Sequence, residues 1–258
     1  MSNWGKGVIN NIGWGQGANN DIGWGSIYDK SNAGETLLKS DLNIDAFIIE
    51  VDTSKAGSAS NQFQFTGAEG DYDVVAKQND IVVATFNDLS NQETITLPSS
   101  GVYNLELSAK EVNGFNRINF AQTGDRLKIT DIKQWGTIVW TSFRTAYWNC
   151  NNMLITATDI PNLSLVTDMF FAFRDVTIGN PNLRDWNVSN VTAMDRIFQG
   201  SNLSEENLTA CYENWSQLNL QQNVLFSAGS TKYNASGQAG RDILVNTYNW
   251  IIEDGGQV

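Results

Sequence analysis

Residues 166–179 read VTDMFFAFRDVTIG, residues 191–204 read VTAMDRIFQGSNLS, and residues 140–153 read WTSFRTAYWNCNNM. The three segments superimpose with Trp140, Val166 and Val191 in register, at spacings of 26 and then 25 residues. A fixed period of this size marks a solenoid, in which each unit is one turn that cannot bury its apolar edge alone. Apolar residues recur at equivalent places: Phe143, Met169 and Met194; Ala146, Ala172 and Ile197; Tyr147, Phe173 and Phe198. A coil that buries the same positions in each turn stacks into one continuous core. Cys150, Val176 and Ser201 share one further position. Cys150 therefore reads as a small inward residue rather than a nucleophile.

Upstream, over 36–129, the pattern changes to short strands. AFIIEV (46–51), NQFQFTG (61–67), YDVVAKQNDIVVATF (72–86), ETITLP (93–98) and GVYNLELSA (101–109) are β-branched or aromatic runs separated by Gly, Asn, Asp and Pro. Such runs with regular turn signals predict a small antiparallel β-sandwich. Side chains alternate along a strand, so Tyr103, Leu105 and Leu107 are expected inward and Asn104 and Glu106 outward. Asp71 and Asp73 are open to a paired-carboxylate or calcium reading, but alternate acids on a strand edge read better as a solvated face. Downstream, a stack must end in an atypical unit, because its last turn exposes an apolar edge. Ser204 with Asn207 three residues on is an imperfect capping box, and Ile243, Leu244 and Tyr248 are apolar at helical spacing in a second helix.

These features carry resemblances. TLPSSGVYNLEL (96–107) resembles the closing hairpin of PKD-like surface domains. IKQWGTIVWTSF (132–143), WNVSNVTAM (186–194) and the long run from Asn207 onward resemble the BspA-like leucine-rich repeat surface proteins of Bacteroidetes and mycoplasmas. The family unit reads roughly W-D-V-S-N-V-T-x-M-x-x-M-F, and residues 186–198 supply nearly all of it. The resemblance implies a mainly β chain with some α. In it a PKD-like sandwich (36–129) precedes a short BspA-type leucine-rich repeat solenoid with an α/β C-terminal cap (130–258). It also implies adhesion to proteins or glycans at a cell surface, without catalysis. Trp148, Phe171 and Trp186 fall outside the assigned core positions, with Arg174 beside them, and are the receptor-binding candidates.

The first 35 residues are different again. NWGKGVINNIGWGQGANNDIGWGSIYDKSN (3–32) repeats a ten-residue phrase that puts Trp4, Trp14 and Trp24 in register. Repeated Gly argues against a helix. No basic stretch followed by an apolar run is present, so no export signal is expected. Indoles are favoured anchors at interfaces, and the segment reads as an extended docking anchor that orders on a larger assembly. Trp4, Trp14, Trp24, Ile12, Ile22 and Tyr28 are its docking residues. It resembles the N-termini of virion proteins from phages of Bacteroidetes, which implies a tail or head fibre, a spike or a decoration protein. Its partners would be other virion proteins and a host surface glycan or protein. By analogy with fibres it is expected to be a homo-oligomer, with a trimer the first expectation. A bacterial cell-surface adhesin is the alternative.

Composition narrows the rest. With 28 acidic and 16 basic residues the net charge is −12, which disfavours a nucleic-acid partner. No apolar run is long enough to span a membrane. There is no His, which removes the commonest general base and metal ligand. No cofactor, metal or catalytic residue is expected, since no carboxylate pair is marked out for glycoside hydrolysis. Cys150 and Cys211 read as buried thiols. The sequons at Asn187 and Asn190 read as repeat-loop chemistry rather than glycan sites.

Overall fold

The computed structural model describes residues 43–111 and 114–258. The leader residues Trp4, Ile12, Trp14, Ile22, Trp24 and Tyr28, and the extended anchor expected over 1–35, lie outside the described residues. The chain divides between Glu35 and Thr36. The second unit is mainly β.

Eight strands open it: β1 (Phe47–Asp52), β2 (Gln62–Gln64), β3 (Asp71–Gln78), β4 (Ile81–Ser90), β5 (Thr94–Thr96), β6 (Val102–Ala109), β7 (Ile129–Gln134) and β8 (Leu154–Ile155). One sheet runs in the order β4-β3-β6-β1-β7-β8. Its pairs are antiparallel except β7–β8, and β2 with β5 forms a separate antiparallel pair. The β3–β4 hairpin turns on Asn79 and Asp80, both left-handed at φ 53° and 63°. Tight hairpins need that geometry at both central residues, and Asn and Asp tolerate it best.

In β6, Tyr103, Leu105 and Leu107 face Val51, Ile49 and Phe47 of β1, and all six are buried. On the other flank Leu105 and Leu107 meet Ala76 and Val74 of β3. The inward set is as expected. Glu106 corrects its half of the expectation: it lies on the opposite face, yet it is 6% exposed, because its carboxylate closes on the Lys77 ammonium at 2.5 Å.

The sheet continues through position 129/130, where the sequence changes character. β7 pairs with the free edge of β1, so an edge that would otherwise be open is covered. From there the chain coils back on itself at the expected period, joined by backbone hydrogen bonds between successive turns. The N–H of Tyr147 donates to the Ala172 carbonyl at 2.9 Å, and that of Phe173 to the Ile197 carbonyl at 3.0 Å. Phe143 bonds Asp168 and Met169 bonds Ala193 in the same way. The residues aligned as core in all three units, Cys150 included, are buried apart from Ser201, which is only half-buried. Stacking begins one turn earlier than the repeat motif does. Phe120 donates to the Ala146 carbonyl and Thr141 to that of Asn116, within the stretch that the sequence pattern assigns to the sandwich.

Two helix–strand units close the stack: α1 (Glu205–Trp215), β9 (Leu225–Ser227), α2 (Gln238–Tyr248) and β10 (Ile251–Glu253). Ser204 caps α1 by accepting from the Asn207 N–H at 3.2 Å, and Glu205 and Glu206 place negative charge in its first turn, the favourable end of the helix dipole. β9 accepts hydrogen bonds from Met194 and Phe198, and β10 pairs with β9 in parallel. In α2, Leu244 is buried and Tyr248 anchors its hydroxyl on the Leu218 carbonyl, whereas Ile243 is exposed. That last position departs from the apolar face read off the sequence, because only one side of α2 meets α1. The crossing requires glycine: a Cβ on Gly240 would lie 2.2 Å from the Tyr212 carbonyl oxygen.

A polar clasp ties sheet to stack. The Asp125 carboxylate accepts from the Ser58 N–H and hydroxyl, each at 2.6 Å, and from the Gln64 N–H at 2.7 Å. Lys128 donates to the carbonyls of Ser58, Ala59 and Gln62 at 2.8 to 3.0 Å. Both side chains are fully enclosed, and burial pulls the Lys128 ammonium below its ordinary range against the opposing pull of Asp125. Removing one member of a buried, hydrogen-bonded ion pair leaves the other uncompensated, at a cost of about 3–5 kcal/mol. Asp125→Ala should lower stability by that amount in chemical denaturation.

Candidate functional site

Reading the stacked turns by column locates the site. The position after Phe143, Met169 and Met194 holds Arg144, Phe170 and Asp195; the next holds Thr145, Phe171 and Arg196. Three further on stand Trp148, Arg174 and Gln199, followed by Asn149, Asp175 and Gly200. The second and fourth columns are left-handed throughout, with φ of 54°, 59° and 51°, then 64°, 57° and 71°. Each unit therefore reverses direction twice at fixed places. Between the bends Ala146 and Tyr147, Ala172 and Phe173, and Ile197 and Phe198 go into the core, while Arg144, Trp148, Phe170, Arg174 and Arg196 stay at least partly exposed. For Phe171 the left-handed backbone is a costly conformation, held in place by the ladder hydrogen bonds on either side.

The columns interlock through rings and guanidinium groups. The Arg144 guanidinium lies 4.6 Å from the Phe170 ring centre, that of Arg174 lies 4.4 Å from Phe171 and 5.1 Å from Trp148, and that of Arg196 lies 5.7 Å from Phe171. Phe170 and Phe171 stack at 3.8 Å, and Trp148 meets Phe171 edge-on at 4.8 Å. Carboxylates complete the array. Asp168 accepts from Arg144 at 3.1 Å and from the Phe170 N–H at 2.9 Å. Asp175 accepts from the Trp148 indole N–H at 3.1 Å and pairs its charge with Arg174 at 3.3 Å. Individually these surface contacts are weak, about 0.5–1 kcal/mol for each cation–π contact. Together they hold the half-buried Trp148 and Phe170 rings in one orientation against the buried Phe171.

Of the four receptor-binding candidates, Trp148, Phe171 and Arg174 come together here, but Phe171 is itself 6% exposed and serves as the floor of the array, because the Phe170 ring and the Arg174 guanidinium cover it. Trp186 does not join them. It is 4% exposed and packs its indole at 5.1 Å from Trp135, 5.5 Å from Phe143 and 5.8 Å from Phe173. Its place outside the aligned segments is that of a core residue contributed by the linking arm. Arg144, Phe170 and Arg196 belong to the array but do not stand out in the linear sequence; the column alignment itself is the signal that could have found them.

Elsewhere the side chains open to a chemical reading are engaged. Asp73 is held by the Lys110 ammonium and by the Asp88 N–H. Among the described residues no group of three or more His, Cys, Asp or Glu is placed to share a metal ion, and no helix is long and apolar enough to cross a membrane. Both thiols are free and buried, as expected. Burial pushes the Cys150 thiol far up and that of Cys211 up to about 12.

Residues 115–238 match the DUF285 family. Its description is "Mycoplasma protein of unknown function", and the match is consistent with the BspA-like resemblance over the same residues. The DUF285 segment begins at Phe115, in the turn where the inter-coil hydrogen bonds also begin, and ends at the first residue of α2. No curated protein matches the chain. No solved structure matches it either.

The thiols give the DUF285 segment a simple chemical signature. A thiol whose pKa is raised on folding contributes stability that is complete below its unfolded pKa near 9 and is lost as pH rises toward the folded value. Iodoacetamide at pH 8 should therefore leave Cys150 and Cys211 unlabelled in the native protein and alkylate both in denaturant, as read by intact mass. Native labelling of either would contradict the burial described.

Proposed function

We propose that the chain is a non-catalytic adhesion protein of a phage virion, a fibre, spike or decoration protein, that binds the host surface through the aromatic–arginine face. In this reading residues 130–258 form a BspA-type leucine-rich repeat solenoid with its cap, and the strands before them a PKD-like sandwich. The observation that carries it is the outward array of Trp148 and Phe170 with Arg144, Arg174 and Arg196, packed over the buried Phe171 ring and held on a hydrogen-bonded ladder. Trp and Arg head the list of residues that dominate binding energy, and preorganised rings lose little entropy on binding. The virion location rests on the Trp4, Trp14 and Trp24 repeat, with three equivalent anchors for equivalent pockets on a particle. The match to DUF285, described from mycoplasmas, favours a second reading, a bacterial surface adhesin.

Two measurements test this. Deleting residues 2–30 should leave a folded protein that no longer co-purifies with virions; undiminished incorporation, or recovery of the intact protein only in the cell envelope, would favour the second reading. Trp148→Ala with Arg174→Ala should reduce binding of the full chain to host cells by about tenfold or more, since two central anchors contribute at least about 1.4 kcal/mol. Unchanged binding with unchanged melting would remove this face from the proposal.

A further inference from the structure

The opposite face of the six-stranded sheet carries a polar trio, two buried residues beside a half-buried one, that adhesion does not use. Lys77 of β3 stands directly across from Asn104 of β6, and Glu106, two residues along β6, shares their face. Lys77 and Glu106 are both 6% exposed, and the Lys77 Nζ contacts Glu106 Oε1 at 2.5 Å. Asn104 Oδ1 is buried without a hydrogen-bond partner among the described residues. Leaving a buried carbonyl oxygen unsatisfied is costly, and a buried ion pair offers little net stability over apolar packing. An amine, a carboxylate and an unpaired amide carbonyl are thus enclosed together on facing positions. Facing residues hold their Cβ atoms about 4.5–5.5 Å apart, well within the reach of a lysine side chain.

We propose that Lys77 and Asn104 become joined by an intramolecular amide bond, with Glu106 carrying the protons. Glu106 takes a proton from the Lys77 ammonium, which frees the Nζ lone pair, and the resulting carboxylic acid donates to Asn104 Oδ1. The Nζ attacks Asn104 Cγ, forming the new N–C bond. As the tetrahedral centre collapses, the Cγ–Nδ2 bond breaks and Glu106 passes protons from the incoming to the departing nitrogen. The products are a secondary amide and an ammonium ion, with Glu106 again a carboxylate; no electrons are transferred and no co-reactant is needed. The bond would clamp two central strands of the sheet. Tension passing along the chain would then bypass β4 and β5, which lie between residues 77 and 104. This holds whatever the repeat face binds.

Intact mass spectrometry of the full chain tests it. The wild-type protein should weigh about 17 Da less than its sequence requires, the mass of one ammonia, and peptide mapping should find the segment containing Lys77 linked to that containing Asn104. Lys77→Arg keeps a cation beside Glu106, and Glu106→Gln keeps its shape; both should fold, by circular dichroism, at full mass. Three results would each overturn the proposal: a wild-type chain at full mass after prolonged incubation, a deficit of about 18 Da from a Lys77–Glu106 amide, or an unchanged deficit in Glu106→Gln.

Discussion

A single file of buried aromatic rings runs through the described domain, and the other features are arranged around it. Phe65 meets Tyr72 at 5.3 Å, Tyr72 meets Phe115 at 5.2 Å, and Phe115 meets Trp140 at 5.7 Å. Trp140 contacts Trp135, Trp135 contacts Trp186, and the file continues through Phe173, Phe198 and Phe226 to Trp215 and Trp250. It starts beside the β2–β5 pair and ends in the cap. Large rings bury more apolar surface than any other side chain, and their edge-to-face contacts add about 0.5–1.5 kcal/mol each. Cutting the file at its centre by Trp→Ala costs about 3–5 kcal/mol, against a total margin of about 5–15 kcal/mol for a domain. Sheet and stack therefore share their stability.

That shared core explains why regular geometry survives in so short a stack. A stack of three repeating turns has two apolar ends and little interior between them. Here one end is built into the sheet by β7 and by the Asp125–Lys128 clasp, and the other is continued by β9 and β10 beneath two helices. With both ends fixed, the turns can tolerate strained backbone at Thr145, Phe171 and Arg196. The strain is what orients the rings of the outward columns.

Much of this was legible in the sequence, for identifiable reasons. The positions of Phe143, Met169 and Met194, the inward set of β6 and the Ser204 cap depend on local periodicity, which a single chain displays. What escaped depends on contacts remote in sequence. Glu106 reads as an outward acid until Lys77, 29 residues away, is known to face it. Trp186 reads as spare until the linking arm folds its indole between Trp135 and Phe173. The first stacked turn is hidden because Phe115 and Phe120 lie in a segment that has the spacing without the motif, interrupted by left-handed Ala121 and Gln122. At the candidate site, Trp148 and Arg174 read as residues left over from the core and remain partly exposed, whereas Phe171, which reads the same way, is buried beneath its neighbours; the two further arginines and Phe170 emerge only when the turns are stacked.

The division of labour between the two faces of the domain follows from the same geometry. Residues aimed inward at each bend must be apolar and of fixed volume, because neighbouring turns pack on both sides of them. Residues aimed outward carry no such restriction, and successive turns set their side chains one inter-strand spacing apart, about 4.8 Å. That is close to the separation at which a guanidinium lies over a ring, so an Arg above a Phe in the column alignment is enough to make a contact. A stack of this kind can change what its outer face presents without disturbing the file of rings beneath it, provided the left-handed positions are kept. The sheet has less of that freedom: one face of β6 is buried in the core and the other is closed at Glu106 by the Lys77 pair, and it acts as the fixed support from which the variable face projects.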